Sequence, residues 1–171
     1  QGVGEIIVKG PNVMLGYYND PEATDNVFKK GWFYTGDLGY IDDDGFLYIT
    51  GRCKSVIVTQ NGKNIYPEEI EYYLNASPLV KECIVLGVNY KGDKETYVNA
   101  KLLPDIEAFK EYLNKDDISD TDIKKEFKKL ISEVNKKLPN YKHIKDFKVV
   151  ENEFEKTTTQ KIKRFGNNLS M

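Results

Sequence analysis

The sequence has 171 residues, of which 40% are hydrophobic and 30% are charged, and its formal net charge is −2 at pH 7. This balance is typical of soluble globular proteins and excludes a disordered chain. The length fits one domain or a small pair of domains. The small net charge gives no overall field that would attract nucleic acid or anionic lipid.

The cysteines and the single histidine limit the kinds of site that the chain can hold. Cys53 and Cys83 lack CxxC spacing, which predicts a reducing, cytoplasmic location and no disulfide framework. His143 has no familiar zinc-site spacing to either thiol, so we interpret it as a surface or packing residue and predict no metal site. No apolar run is long enough for a transmembrane segment. The chain opens at Gln1 almost directly in a predicted strand, which indicates part of a longer protein.

The first fifty residues are predicted to form strands and one short helix. Residues 4–9, GEIIVK, are a β-branched run that a Gly-Pro turn ends. Asp20 is the expected cap of a short helix that Pro21 opens. An aromatic strand begins at Gly31, and the loop 42–45, DDDG, joins two further strands as a hairpin. We interpret the loop as a solvated turn and not as a calcium site, because no glutamate stands where an EF-hand needs one.

The remainder alternates strands and helices. Residues 55–59 are a predicted strand, and Asn61–Gly62 turns it back on residues 64–66. Pro67 opens a helix with acidic residues in its first turn. Further strands are predicted at 80–88, 96–103 (paired with 80–88 across a turn at 89–93) and 147–150, and further helices at 104–114 and from Ser119 or Asp120 to about Leu138.

These elements predict an α+β fold in two parts. Residues 52–171 would form a small C-terminal domain with a mostly antiparallel sheet and about three helices. Residues 1–51 would be a β-rich strip that is too thin to hold a core alone. The lysines of the long helix alternate with acidic residues, so that face is interpreted as solvated and not as a nucleic-acid surface.

Three residues carry candidate chemistry. Asp37 follows a glycine turn after the aromatic strand, where a carboxylate suits two ribose hydroxyls, and Arg52 is within reach of the same polyol. Lys161 lies in a Thr- and Lys-rich loop, where a cation meets a phosphate or a carboxylate. Each has a plain alternative as a turn cap, a surface ion pair or a solvated lysine. The residue types alone favour those alternatives.

The order of several motifs changes this interpretation. The motifs are GEIIVKGPNVMLGYYNDPEAT, GWFYTGDLGYIDDDGFLYITGR, the junction at Lys54, VIVTQNGKNIYPEEIE and TTTQKIKR. Together they cover nearly the whole chain and resemble the adenylate-forming enzymes, which include acyl-CoA synthetases, adenylation domains of peptide synthetases and beetle luciferases. Within that superfamily, GKNIYPEEIE and the Lys54 junction are most similar to bacterial long-chain fatty acyl-CoA ligases.

The resemblance implies a reaction in two steps. ATP and a fatty acid, with Mg²⁺, give an acyl-adenylate and pyrophosphate, and coenzyme A then displaces AMP to give a thioester. By matching position, Asp37 and Arg52 would bind the ribose, and Lys54 would be the hinge of a mobile C-terminal domain. Lys161 would be catalytic, because it would bridge the substrate carboxylate and the α-phosphate.

The resemblance also implies what the second step needs and what the chain lacks. After a domain rotation, the segment with Gly62, Lys63 and Asn64 would line the pantetheine tunnel. The phosphate loop, the acyl pocket and most of the Mg²⁺ and ATP phosphate sites would lie in a missing N-terminal domain, so the chain alone is predicted to be inactive. The family's lysine motif has a proline and a glycine where this sequence has Glu155 and Gln160, which puts the loop conformation in question.

Two alternatives remain open. One is a related ligase for a short, aryl or amino acid substrate that loads coenzyme A or a carrier-protein thiol. The other is a non-catalytic relative that serves as a binding module, which only the substitutions at Glu155 and Gln160 support.

Overall fold

The computed structural model describes residues 2–90 and 95–164. The chain divides into two compact units, Gln1–Lys54 and Ser55–Met171, which we call the first and the second unit. The domain bounds 1–51 and 52–171, and the hinge at Lys54, remain predictions. None of the helices in the described ranges is both long and apolar enough to cross a membrane.

The first unit is a small antiparallel sheet with one short helix. Its elements are β1 (Gly4–Val8), α1 (Pro21–Val27), β2 (Phe28–Lys29), β3 (Trp32–Ile41) and β4 (Leu47–Arg52). Strand β3 pairs with each of the other three. As predicted, the Asp20 carboxylate caps α1 and accepts a hydrogen bond from the backbone N–H of Ala23 at 2.9 Å.

The predicted hairpin at residues 42–45 is confirmed, since it joins β3 and β4. The Asp42 carboxylate accepts hydrogen bonds from the backbone N–H groups of Asp44 at 3.1 Å and Phe46 at 2.8 Å. This is the local bonding by which aspartate stabilises turns.

The first unit buries almost nothing. Among its described residues, only Gly39 and Gly51 are buried. Large apolar side chains on β3 and β4 stay exposed, including Ile49 at 68% and Leu47 at 51%. The strand ladder therefore contributes more to this unit than apolar burial does.

The second unit has the predicted α+β composition. Its elements are β5 (Ile57–Val58), β6 (Asn64–Ile65), α2 (Pro67–Asn75), β7 (Val80–Asn89), β8 (Thr96–Pro104), α3 (Ile106–Leu113), α4 (Asp120–Lys137) and β9 (Ile144–Val149), with a 3₁₀ turn at Asn140–Lys142. A three-stranded sheet has the order β7-β8-β9, and β5 pairs with β6 in a separate hairpin.

The three-stranded sheet contains one antiparallel and one parallel pairing. Strands β7 and β8 pair antiparallel as predicted, although residues 91–93 of the turn between them lie outside the described residues. Strand β9 pairs parallel with β8 and begins at Ile144, three residues earlier than the predicted start at Phe147. The chain makes this parallel pairing through α3 and α4, the kind of long crossover that parallel strands require.

The main core of the second unit lies between the sheet and its helices. Ser119 and Asp122 form a capping box at the start of α4. From there, Ile123, Phe127 and Val134 follow the helical period and are buried. The Phe127 ring meets Phe109 of α3 edge to face, with ring centroids 5.5 Å apart.

A second apolar cluster involves the end of the described chain. Phe154 packs with Ile84 and Leu86 of β7, and Ile162 lies against the same cluster. We call residues 153–164 the lysine loop. Its two ends are therefore held on the sheet by apolar contacts.

Candidate functional site

Strand register brings two of the predicted residues together. Asp37 on β3 is the partner of Arg52 on β4. The Arg52 Nε lies 3.1 Å from an Asp37 carboxylate oxygen, and the two side chains are 58% and 36% exposed. The Arg52 guanidinium also donates to the carbonyl of Thr35 at 3.3 Å. The carboxylate is thus oriented by a cation while it stays accessible to a ligand.

The turn before Asp37 is fixed from β1. Gly36 has φ +73°, which favours glycine, and its N–H donates to the Glu5 carboxylate at 3.0 Å. The Thr35 hydroxyl donates to the carbonyl of Ile6 at 2.8 Å and accepts from the N–H of Asp37 at 3.1 Å. These bonds hold Asp37 in one place, and the contribution of Glu5 was not predicted.

A cysteine thiol lies close to this turn. Limited burial and then the Glu5 carboxylate, with a smaller effect of Asp37, raise the pKa of the Cys53 thiol, which Arg52 partly opposes. Cys53 and Cys83 are both free cysteines, Cys53 exposed and Cys83 buried. Lys54 follows in a 3₁₀ turn, Cys53–Ser55, and is exposed. Its role as a hinge stays a prediction.

The glycine hairpin of the second unit has the predicted form. Gly62 has φ +70°, and its N–H donates to the carbonyl of Thr59 at 2.9 Å. The Thr59 hydroxyl accepts from the N–H of Lys63 at 3.0 Å, and Asn64 pairs with Val58. Nothing lies within 4 Å of the place where a Gly62 Cβ would be, so backbone conformation and not space favours glycine here.

The lysine loop turns tightly just before Lys161. The N–H of Thr157 donates to the carbonyl of Lys161 at 2.8 Å, and the N–H of Gln160 donates to the carbonyl of Thr157 at 2.9 Å. Gln160 has φ +62°, a left-handed conformation that glycine adopts without cost. The position where the family has glycine thus keeps a glycine-like backbone despite the Gln160 side chain.

The side chain of Lys161 is exposed at the tip of this loop. In the part of the chain that the structure describes, no carboxylate lies within ion-pair distance of its ammonium. The loop therefore presents a cation that is open to an anionic ligand.

One end of the lysine loop is held on β7 by charge. The Lys156 ammonium lies 2.5 Å from a Glu82 carboxylate oxygen and 3.2 Å from one of Glu153. Glu82 also accepts a hydrogen bond from the backbone N–H of Phe154 at 3.1 Å. The two contacts of Glu82, with Lys156 and with Phe154, therefore hold the loop on β7.

The other end is held on α2 through Arg164. Its guanidinium binds the Glu71 carboxylate and donates to the carbonyl of Val85 at 3.3 Å. Burial raises the pKa of the Glu71 carboxyl, and Arg164 and the backbone N–H of Val85 oppose that shift. Sequence reasoning missed this anchor, although a basic run ending at Arg164 was visible.

The structure therefore presents the predicted residues in three groups. Asp37 and Arg52 form one pair, Gly62 to Asn64 form a hairpin turn, and Lys161 lies on its own loop. The roles of these residues remain predictions.

Comparison with known proteins identifies the family. The family model for the AMP-binding enzyme C-terminal domain matches residues 54–166. The long-chain-fatty-acid–CoA ligase FadD15 of Mycobacterium tuberculosis is 35% identical over 176 residues, which cover 94% of this chain and 28% of that protein. The 2-succinylbenzoate–CoA ligase of Geobacillus kaustophilus is 52% identical over 85 residues, which cover 50% of this chain and 17% of that ligase.

A solved structure of a CoA synthetase is also similar to this chain. The o-succinylbenzoate CoA synthetase of Bacillus subtilis, in complex with its acyl-adenylate intermediate, superposes with a TM-score of 0.73 at 33% identity. The match covers 94% of this chain and 29% of that structure. This chain thus spans less than a third of the length of these relatives.

Proposed function

The chain belongs to the AMP-binding enzymes, whose C-terminal domain it carries, and from that premise we propose that it works as the C-terminal part of an AMP-forming acyl-CoA ligase. The observation that carries the proposal is the exposed Lys161 ammonium at the tip of a loop that is tied to β7 and α2. Activation of a carboxylate by ATP brings two anions together. A cation on an anchored loop lowers the cost of that approach.

In the adenylation step, the two units supply different groups. The Asp37 carboxylate accepts hydrogen bonds from the ribose hydroxyls, and Arg52 keeps it oriented. Lys161 contacts the substrate carboxylate and the α-phosphate, where it stabilises the charge that develops at phosphorus. We assign no magnesium ligand to this chain, so ATP phosphates and Mg²⁺ are held by residues outside it.

In the thioester step, the second unit presents its other functional segment. Rotation near Lys54 brings the turn at Gly62, Lys63 and Asn64 to the active site, where its backbone lines the path of the pantetheine arm. A glycine turn suits a thin ligand, since it lets the backbone approach closely. Rotation of a whole unit about a few residues is an established type of conformational change.

For the acid substrate, we propose a long-chain fatty acid. The similarity to FadD15 over 94% of the chain supports it. A second candidate is an aryl acid of the 2-succinylbenzoate type, which the local identity of 52% and the structural match favour. The cavity that accepts the acyl group decides between them, and that cavity lies outside this chain.

The test is ATP–pyrophosphate exchange by the full-length enzyme with a panel of acids. We expect the highest kcat/KM with long-chain fatty acids, and no exchange by the 171-residue chain alone. Faster exchange with 2-succinylbenzoate than with long-chain fatty acids would show that the substrate is the aryl acid. Absence of exchange with every carboxylic acid would overturn the proposed function.

A further inference from the structure

The lysine loop is closed by backbone bonds of its own. The N–H of Thr157 donates to the carbonyl of Lys161 at 2.8 Å, and Lys156 and Ile162 form an antiparallel bridge. These bonds fix the shape of the loop but not the direction in which it projects from the second unit. That direction depends on the contacts that the loop makes with other elements.

One of these contacts lies at the free edge of β7. Among the described residues, β7 pairs with β8 and with no other strand, so one of its edges lacks a neighbouring strand. The Glu71 carboxylate accepts a hydrogen bond from the N–H of Val85 at 2.7 Å, and the Arg164 guanidinium donates to the carbonyl of Val85 at 3.3 Å. An edge strand leaves such groups unpaired unless something covers them. Two side chains thus take the place of a strand at Val85.

The same two side chains also bind each other. One oxygen of the Glu71 carboxylate is bound to Val85, and the other is bound to Arg164. The Arg164 guanidinium also lies 3.5 Å from a carboxylate oxygen of Glu68. Its planar fork of donors can meet these acceptors together, which a lysine ammonium cannot do. The side chains of Glu71 and Arg164 are only 13% and 27% exposed, so water screens this ion pair less than a surface pair.

Arg164 is placed so that its contacts bear on Lys161. It follows Lys161 by three residues, a distance of at most about 11 Å along the chain. On the other side of Lys161, the Lys156 ammonium binds Glu82 of β7. The loop is thus held by charge at one point before Lys161 and one point after it. Loss of the Arg164 contacts would leave charge on one side only.

We propose that Glu71 and Arg164 are positioning residues for Lys161. They set the direction in which the lysine loop presents the ammonium, and they act through Lys161 without touching a substrate. The inference rests on the proposed function, in which Lys161 stabilises charge at the α-phosphate. A catalytic group that is displaced by about 1 Å can lose a factor of about 10² in rate. The anchor therefore contributes to kcat of the adenylation step.

The first experiment measures ATP–pyrophosphate exchange by variants of the full-length enzyme. Arg164→Gln should lower kcat about 10–100-fold and change KM for ATP less than about threefold, because the loss falls on the transition state. Arg164→Lys keeps the charge but not the fork of donors, so its kcat should lie between those of Arg164→Gln and the wild type. Glu71→Gln keeps an acceptor for Val85 but replaces the ion pair by a weaker hydrogen bond, and should lower kcat about tenfold.

Three controls separate positioning from a general loss of folded enzyme. Glu133→Gln removes one member of the exposed ion pair with Lys136 on α4 and should leave exchange unchanged. Thioester formation from supplied acyl-adenylate does not use Lys161 under the proposed function, so Arg164→Gln should change it less than about twofold. In a Lys161→Ala background, Arg164→Gln should cause no further loss of exchange, because the positioned group is already absent.

The second experiment requires no activity. NMR relaxation of backbone amides in the 171-residue chain should give an order parameter of about 0.85 at Lys161, and Arg164→Gln should lower it below about 0.6, because the loop can then swing. Phe127, which is buried in the core of the same unit, should keep its value in both proteins.

Three results would overturn the inference: equal losses of exchange and thioester formation in Arg164→Gln, a further loss in the Lys161→Ala background, or an unchanged order parameter at Lys161. Failure of the proposed function gives a different pattern. If the order parameter falls in Arg164→Gln but the full-length enzyme activates no acid, the function falls and the anchoring of the loop stands. If the enzyme activates an acid and Arg164→Gln exchanges at the wild-type rate, the positioning inference falls alone.

Discussion

The first unit differs from the second in what holds its functional side chains. Asp37 and Arg52 stand on paired strands of a sheet in which only Gly39 and Gly51 are buried among the described residues up to Lys54. The hairpin and the lysine loop of the second unit project instead from a unit with a continuous core around Phe127. The positions of Asp37 and Arg52 thus depend on strand register, whereas the positions of the hairpin and the lysine loop depend on buried apolar area.

This difference has a consequence for stability. A backbone hydrogen bond contributes about 0.5–1.5 kcal/mol net, whereas a fully buried large apolar side chain contributes about 1.5–3 kcal/mol. The sheet of the first unit should therefore open more easily than the core of the second. The chain provides a probe for each unit: Trp32, its single tryptophan, on β3 and the buried thiol of Cys83 on β7. Burial, and then the Glu71 carboxylate, raise the pKa of that thiol, so it reacts only when the second unit opens.

The largest effect is expected for Phe127→Ala. It removes a fully buried ring and should lower the free energy of unfolding of the second unit by about 3–5 kcal/mol. Denaturant titration with Cys83 labelling, in a Cys53→Ser background because the Cys53 thiol is exposed, measures the change, and Trp32 fluorescence reports on the first unit. Tyr72→Ala, which removes an exposed ring from α2, is the control. An equal shift of the Trp32 transition would break the comparison, because one core would then stabilise both units.

Lys161→Ala tests the lysine loop without touching the core. In the full-length enzyme, ATP–pyrophosphate exchange should fall about 10²–10³-fold, since a group that stabilises transition-state charge is lost. Thioester formation from supplied acyl-adenylate should stay unchanged. Lys124→Ala, which removes an exposed lysine of α4, should affect neither step. Equal loss of both steps would contradict the role given to Lys161.

Gly39→Ala is the corresponding test for the first unit. An added Cβ would lie 2.4 Å from the carbonyl oxygen of Tyr48, so β3 and β4 would have to separate at a cost of about 1–3 kcal/mol. The Trp32 transition should move to lower denaturant, and Cys83 labelling should not change. Gly4→Ala, where nothing lies within 4 Å of the added Cβ, is the matched control. If Gly39→Ala left the Trp32 transition in place, strand register would not be what stabilises the first unit.

The smallest effect is expected for Gln160→Gly. The change removes left-handed strain but increases the entropy of the unfolded chain, so the net gain should be below about 1 kcal/mol. Slower amide exchange at Lys161, whose N–H donates to the Thr157 hydroxyl at 3.2 Å, would measure it. Gln160→Ala keeps the strained backbone and should show no gain. Faster exchange in the glycine variant would show that Gln160 itself orders the loop.

Local chemistry explains what the sequence predicted well. The Asp20 cap, the Gly62 turn and the start of α4 at Ser119 all depend on residues within a few positions of each other. Asp37 and Arg52 were predicted to reach the same polyol, and a single hairpin places them opposite each other through its strand register. Such short-range features allow few alternative local structures, so the sequence predicts them well.

Long-range features were harder to predict. The early start of β9 depends on its parallel pairing with β8, far back in the sequence. The anchors of the lysine loop at Glu82 and Glu71 join residues more than seventy positions apart. No local pattern encodes these contacts.

Helix α2 connects the two functional segments of the second unit. It begins at Pro67, two residues after β6, and its Glu71 binds Arg164 at the end of the lysine loop. One rigid helix therefore couples the glycine turn to the loop that carries Lys161. Under the proposed function, these two segments cannot be reoriented separately, so a single change of torsion near Lys54 would set the timing of both half-reactions.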